Sequence, residues 1–227
     1  MYFIIINVIL NKFMKKGIII FVAIFVTSLM YVAFGAHGEI KPYYSGDAVY
    51  SNGQLVFGSM NNDGVLELFA YVNNAVVRGA VIKPTSNFLP VTATPRIYDF
   101  ALVDEGGKTF AYTAEGKKLV KYNITNISSP VFVDQVLENN GDWYVGMEKY
   151  DARFATIGTK ELKLWNYSLQ NIDSFKILND KSYNVGVGND GAYIFNIGTS
   201  SVNIFDTMVR NYAYSAAIKT HDSHYRK

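Results

Sequence analysis

Residues 161–170 read ELKLWNYSLQ, and the run LKLWNY (162–167) inside them decides the fold, because it recurs. LELFAY begins at Leu66, LVKYNI at Leu119, LKLWNY at Leu162 and VNIFDT at Val202. Each run has an apolar start and an aromatic at its fourth position: Phe69, Tyr122, Trp165 and Phe205. In the last three an Asn or Asp follows directly. Successive aromatics stand 53, 43 and 40 residues apart. The first interval holds the proline-bearing stretch KPTSNFLPVTATP (83–95), read as an insertion of about ten residues.

Other short runs keep step with these. A strand precedes each of them: LVFG ending at Gly58, TFAYTAEG reaching Gly116, RFATIG ending at Gly158 and YIFNIG ending at Gly198. Approach strands come earlier still, at DAVYS (47–51), IYDFALV (97–103), WYVGMEKY (143–150) and YNVGVG (183–188). Returning strands follow at VVRGAVIK (76–83), PVFVDQVL (130–137), SFKIL (174–178) and YAYSAAI (212–218). The separators SNG (51–53), NDG (62–64), EGG (105–107) and NDG (189–191) supply the positive φ angles of tight hairpins. No window of a dozen residues after residue 37 has helical periodicity. Four units of four short strands with a period near 40–45 predict an all-β, β-propeller-like domain over residues 37–219. A single blade cannot bury both faces, so blades stack, and the third-strand aromatic is expected between adjacent sheets.

The endings WN, FD and YN resemble the terminal dipeptide of WD-repeat blades. The stretch LVKYNITNISSPVFVDQV (119–136) resembles bacterial secreted propeller repeats of the LVIVD type, with a strand, an Asn- and Ser-rich turn bearing Pro, and a returning strand. Only the second unit carries that Pro, and the His-bearing signature of eukaryotic WD blades is absent. The resemblance spans most of residues 44–218 and implies a fold; it carries over no functional residues. Four blades are the low end for a closed ring. The favoured expectation is therefore an incomplete ring, whose open blade edges would invite self-association. A truncated fragment of a longer propeller, with no independent function, is the alternative.

The N-terminus is of another kind. Lys12, Lys15 and Lys16 precede 20 uncharged residues, Gly17–Ala36, and His37, Gly38 and Glu39 restore polarity. A basic start, an apolar run and small residues at its end form a signal peptide, with cleavage expected after Gly35. Met14 is an alternative start, and an uncleaved anchor helix within residues 1–36 is the alternative fate. Both send the rest of the chain out of the cytoplasm, to a periplasmic, cell-surface or extracellular location. Contact with the membrane is expected only through this segment.

Charge and composition narrow the function. With 21 basic and 19 acidic side chains there is no concentrated basic surface of the kind nucleic acid requires. The chain has no cysteine, which excludes disulfides and thiolate chemistry. Its 17 tyrosines and 15 phenylalanines suit half-buried β surfaces. No strand-to-helix phosphate loop occurs, and no cofactor is expected. His221 and His224, in the polar tail 220–227, are weak metal candidates; a solvated tail is the plainer reading. NNDG, GNDG and DEGG lack the ligand spacing of calcium loops and read as turns. The sequons at Asn123, Asn126 and Asn166 likewise read as turn chemistry.

Two functions remain. One is an exported binding or scaffold protein that presents loops to a protein or glycan partner. Its candidate loop residues are Asn61, Asn62, Asp63, Lys117, Lys118, Lys160, Glu161 and Ser200, at equivalent positions of the four units. The other is a propeller hydrolase or lyase using Asp47, Asp99 and Glu148 of the approach strands, and convergence of these acids in one pocket would favour it. Trp165 reads as inter-blade core rather than a sugar-stacking platform.

Overall fold

The computed structural model describes residues 43–84, 95–138, 142–177, 182–188, 193–198, 201–207 and 211–217. The signal or anchor segment, most of the insertion, Ser200, His221 and His224 lie outside the described residues. Four antiparallel four-stranded sheets succeed one another as propeller blades. Blade 1 comprises β1 (Tyr43–Ser51), β2 (Gln54–Asn61), β3 (Leu66–Val72) and β4 (Ala75–Ile82). Blade 2 comprises β5 (Asp99–Glu105), β6 (Lys108–Ala114), β7 (Lys118–Asn123) and β8 (Val131–Leu137). Blade 3 comprises β9 (Gly146–Tyr150), β10 (Arg153–Ile157), β11 (Glu161–Asn166) and β12 (Asn171–Lys176). Blade 4 comprises β13 (Ser182–Gly188), β14 (Tyr193–Gly198), β15 (Ser201–Asp206) and β16 (Asn211–Ala217).

The hairpins form where the turn residues demand them. Asn52 and Gly53, Asn73 and Asn74, and Gly106 and Gly107 all have positive φ, the two-residue geometry that matches strand twist. The sequons are Asx turns. The Asn123 Oδ1 accepts from Thr125 N–H, Asn126 from Ser128 and Asn166 from both Ser168 and Gln170.

Register shows that the repeat is genuine. In every blade the pairing of the third and fourth strands slips at the aromatic: near Phe69, Tyr122, Trp165 and Phe205. The slip leaves Val133 and Ile172 as extra residues on the outermost strands, where Val131 and Phe132 are exposed as well. The same register corrects one sequence assignment. Gly158 and Gly198 align with Asn61 of blade 1, not with Gly58. Gly58 is required for another reason: a Cβ there would lie 2.8 Å from both Leu66 and Phe100 of the next blade.

Each blade has a leading face toward the blade before it and a trailing face toward the blade after it. The leading faces carry the aromatics. Tyr122 enters a core with Val56, Leu68 and Ile82 of blade 1. Trp165 enters one with Val103, Tyr112 and Leu119 of blade 2. Phe205 joins Ile157, Leu162 and Leu164 of blade 3. Trp165 is thus core, 3% exposed, as its sequence context implied. Innermost strands pack in series, β1 on β5, β5 on β9 and β9 on β13.

Candidate functional site

The innermost strands bring the sequence-predicted acids together. Ser45, Asp47, Tyr98, Asp99, Met147, Glu148 and Lys149 help line a cavity of about 330 Å3 between blades 1, 2 and 3. It lies toward the end of the blades where Tyr43 pairs with Asn61. The candidate loops β2–β3, β6–β7 and β10–β11 cluster at that same end.

Alternation along the strands explains the convergence. Asp47 projects from the trailing face of β1 and accepts Leu102 N–H of blade 2 at 2.7 Å. Asp99, at the corresponding face of β5, accepts Met147 N–H of blade 3 at 2.8 Å. Each carboxylate also accepts the next N–H of its own strand, and Ser45 Oγ donates to Asp99 Oδ1 at 3.0 Å. Both acids therefore stitch one blade to the next.

Lys149 closes the arrangement. Its register equivalents are Ala48 and Leu102. From β9 its Nζ donates to Asp47 at 2.7 Å, to Leu102 O at 2.8 Å and to Ala48 O at 3.2 Å. One ammonium thus ties blade 3 to the equivalent positions of blades 1 and 2.

Three carboxylates share this space with that single ammonium. Burial pushes the Asp99 carboxyl up to about 6, against the lowering effect of its N–H bonds. Glu148 is pushed up to about 7, by desolvation first and then by the charges of Asp47 and Asp99. Glu148 is nevertheless an exposed residue, so solvent screens much of this effect. Its carboxylate accepts only its neighbour's backbone N–H, from Lys149. Glu148 is accordingly the acid of the three that is not spent on joining blades. No group of three or more ligating side chains among the described residues has the geometry of a metal site.

The loop candidates divide by exposure. Asn62, Asp63 and Lys160 face solvent, and Lys117 and Glu161 are half-buried. Asn61 and Lys118 are buried, with Asn61 Nδ2 donating to Glu67. They support the loops rather than present a surface.

Sequence reasoning missed Lys149 and Asp142. A lone lysine at a position that is Ala48 and Leu102 in the preceding units was the available signal for the first. Asp142 is 2% exposed and accepts the N–H groups of Trp143, Thr159, Lys160 and Glu161, as well as the Thr159 hydroxyl. It seats the β10–β11 turn directly against Gly158, where a Cβ would meet its carboxylate at 2.3 Å.

No family model matches this chain. No curated protein matches it either. Among solved structures, the crystal structure of Raptor from Chaetomium thermophilum superposes with a TM-score of 0.59 at 8% identity. The match covers 80% of this chain and 17% of that one, so the chain spans about a sixth of Raptor's length. A likeness at that identity establishes the propeller fold. It lends no support to the finer resemblance to LVIVD-type repeats.

Proposed function

We propose that the chain is an exported propeller-type scaffold that binds a protein partner and takes a lysine or arginine side chain of that partner in the axial cavity. The observation that carries this reading is the cavity's charge: Asp47, Asp99 and Glu148 against Lys149 alone. A low-dielectric cleft lined by excess charge of one sign focuses field and favours the opposite charge. A cavity of about 330 Å3 is at the small end of ligand sites and suits one long side chain. Exposed Asn62, Asp63 and Lys160 at the same end would contact the rest of the partner. Export rests on the apolar run 17–36 and its small-residue end.

The reading as a hydrolase or lyase has its own support, since Asp99 and Glu148 titrate near neutrality within one pocket. Against it, the oxygens of Asp47 and Asp99 are committed to N–H groups and to Lys149. That leaves one free carboxyl where paired acid–base chemistry needs two.

Calorimetric titration with an arginine-bearing peptide, and with the same peptide carrying alanine instead, separates the readings. Binding should require the arginine, weaken several-fold in Glu148→Gln, and weaken as pH falls through about 7. Equal affinity of wild type and variant would refute the axial site. Turnover of chromogenic glycosides that disappears in Glu148→Gln would establish the enzyme instead.

A further inference from the structure

One guanidinium beside the axial cavity is uncompensated. Arg96 immediately precedes Ile97, whose N–H donates to Gly64 O of the β2–β3 turn at 2.8 Å. The Arg96 guanidinium lies over the Tyr98 ring, 5.4 Å from its centroid. Tyr98 in turn lines the cavity and meets Trp143 edge-on at 6.2 Å. Trp143 rests on the β6–β7 turn, where a Cβ at Gly116 would come within 3.0 Å of its ring. All three side chains are half-buried, so the row Arg96, Tyr98, Trp143 is held in place yet can be reached from solvent. Arg78, Lys121, Lys149 and Lys163 each have an acid partner. Among the described residues no carboxylate pairs with Arg96, and its Nε is buried without a hydrogen-bond partner.

We propose that Arg96, flanked by Tyr98 and Trp143, is an anion subsite for a carboxylate on the same partner segment whose cation enters the cavity. The partner is then read as a basic and an acidic side chain a few residues apart. The inference rests on the axial reading for the cation and adds the second charge. Stacking occupies the face of a guanidinium and leaves its N–H groups free in the plane of the group. With Nε shut away, the two Nη groups are the donors that a carboxylate can reach. Half-burial removes part of the guanidinium's water without supplying a protein acceptor, and a ligand carboxylate makes good that loss. The neighbouring charges set the order. Asp47, Asp99 and Glu148 repel an anion from the cavity, so it stays at Arg96 while the cation goes in. Tyr98 belongs to both places, which keeps the two charges within a few residues of each other along an extended segment. A purely basic or purely acidic segment satisfies only one of the two.

The test is a double-mutant cycle between protein and ligand. The full chain and its Arg96→Gln variant are titrated calorimetrically with peptides that carry an arginine and a glutamate, either alone, or neither, the glutamate being stepped through the positions on each side of the arginine. At its best position the glutamate should strengthen binding to wild type by about fivefold, the upper end for a pair near the surface. That gain should vanish in Arg96→Gln, whatever the variant does to the arginine-only peptide. Arg96→Lys keeps the charge without the planar fork and should keep only part of the gain. The glutamate-only peptide gives an independent reading by nuclear magnetic resonance. It should shift the Arg96 Nε–H signal, which is assigned by its loss in Arg96→Gln. An arginine-only peptide that fails to bind, with this shift intact, removes the axial reading and leaves the anion subsite standing. An unmoved Nε–H signal, no gain from the glutamate at any position, or an equal gain in wild type and Arg96→Gln overturns the subsite.

Discussion

Replacing Trp165 tests the fold at its most informative point. The indole is 3% exposed, stacks on Phe154 at 6.5 Å, meets Tyr144 edge-on at 6.0 Å and donates from Nε1 to Thr156 Oγ1 at 2.8 Å. Truncation to alanine removes a large buried ring, worth about 3–5 kcal/mol in well-packed cores. It also strands the Thr156 hydroxyl, which is 0% exposed, at a further cost of about 1 kcal/mol. Trp165→Ala should therefore lose about 4–6 kcal/mol, a large part of the stability of an ordinary domain. Trp165→Phe keeps most of the apolar contact and loses the hydrogen bond, for about 1–2 kcal/mol. Adding Thr156→Val to Trp165→Phe should recover part of that loss, because the orphaned hydroxyl disappears with its partner. Urea unfolding followed by far-ultraviolet circular dichroism gives all three losses, provided that the denaturant slope stays constant. A loss below about 1 kcal/mol for Trp165→Ala would refute its role as inter-blade core. Unchanged melting with loss of peptide binding would make Trp165 a binding residue.

Asp142→Ala should destabilise by about 3–5 kcal/mol, read from the same unfolding curves, since three N–H groups of the β10–β11 turn lose a buried acceptor. Lys149→Met should cost about 1–2 kcal/mol, because the pair with Asp47 is only partly shielded from solvent. Stability should also depend on pH. Asp99 and Glu148 bind protons more tightly when folded, at about 6 and about 7, than when unfolded, at 3.8 and 4.5. Unfolding free energy should consequently fall as pH rises from about 4 to about 7. Asp99→Asn should remove about 2–3 kcal/mol of that fall in a pH series of denaturation curves; a slope identical to wild type would contradict the burial of this carboxyl.

The spacing of Phe69, Tyr122, Trp165 and Phe205 was enough to place all sixteen strands to within a few residues. This worked because each blade is closed by local hairpins, whose turn residues and alternation lie next to each other in the sequence. The sequence placed Asp47, Asp99 and Glu148 on approach strands but left their convergence open, because nothing within one unit ties one acid to another; the structure brings them to one cavity. What escaped was set by contacts between blades. That Asp47 and Asp99 act as acceptors for the next blade depends on a one-residue offset between adjacent innermost strands. No single-blade pattern records such an offset. Lys149 and Asp142 escaped for the same reason: their partners lie 102 and 17–19 residues away or are backbone groups without a side-chain signature. The Gly58 misalignment arose because a glycine forced by Phe100 looks, in one dimension, like a glycine that ends a strand.

The three separate cores between blades make the molecule mechanically a short chain of links. Each blade is held by its neighbours alone, so cooperativity passes from blade to blade rather than through one shared interior. Asn196 and Asn203 are both buried in the last blade, and the Asn196 amide has no hydrogen-bond partner. Amide exchange should then be graded along the sequence, fastest in blade 4, while blade 2, clasped on both faces, exchanges last. Blade 4 is then the link that opens first, and any contact that covers it would slow opening of the whole without a change to blade 2.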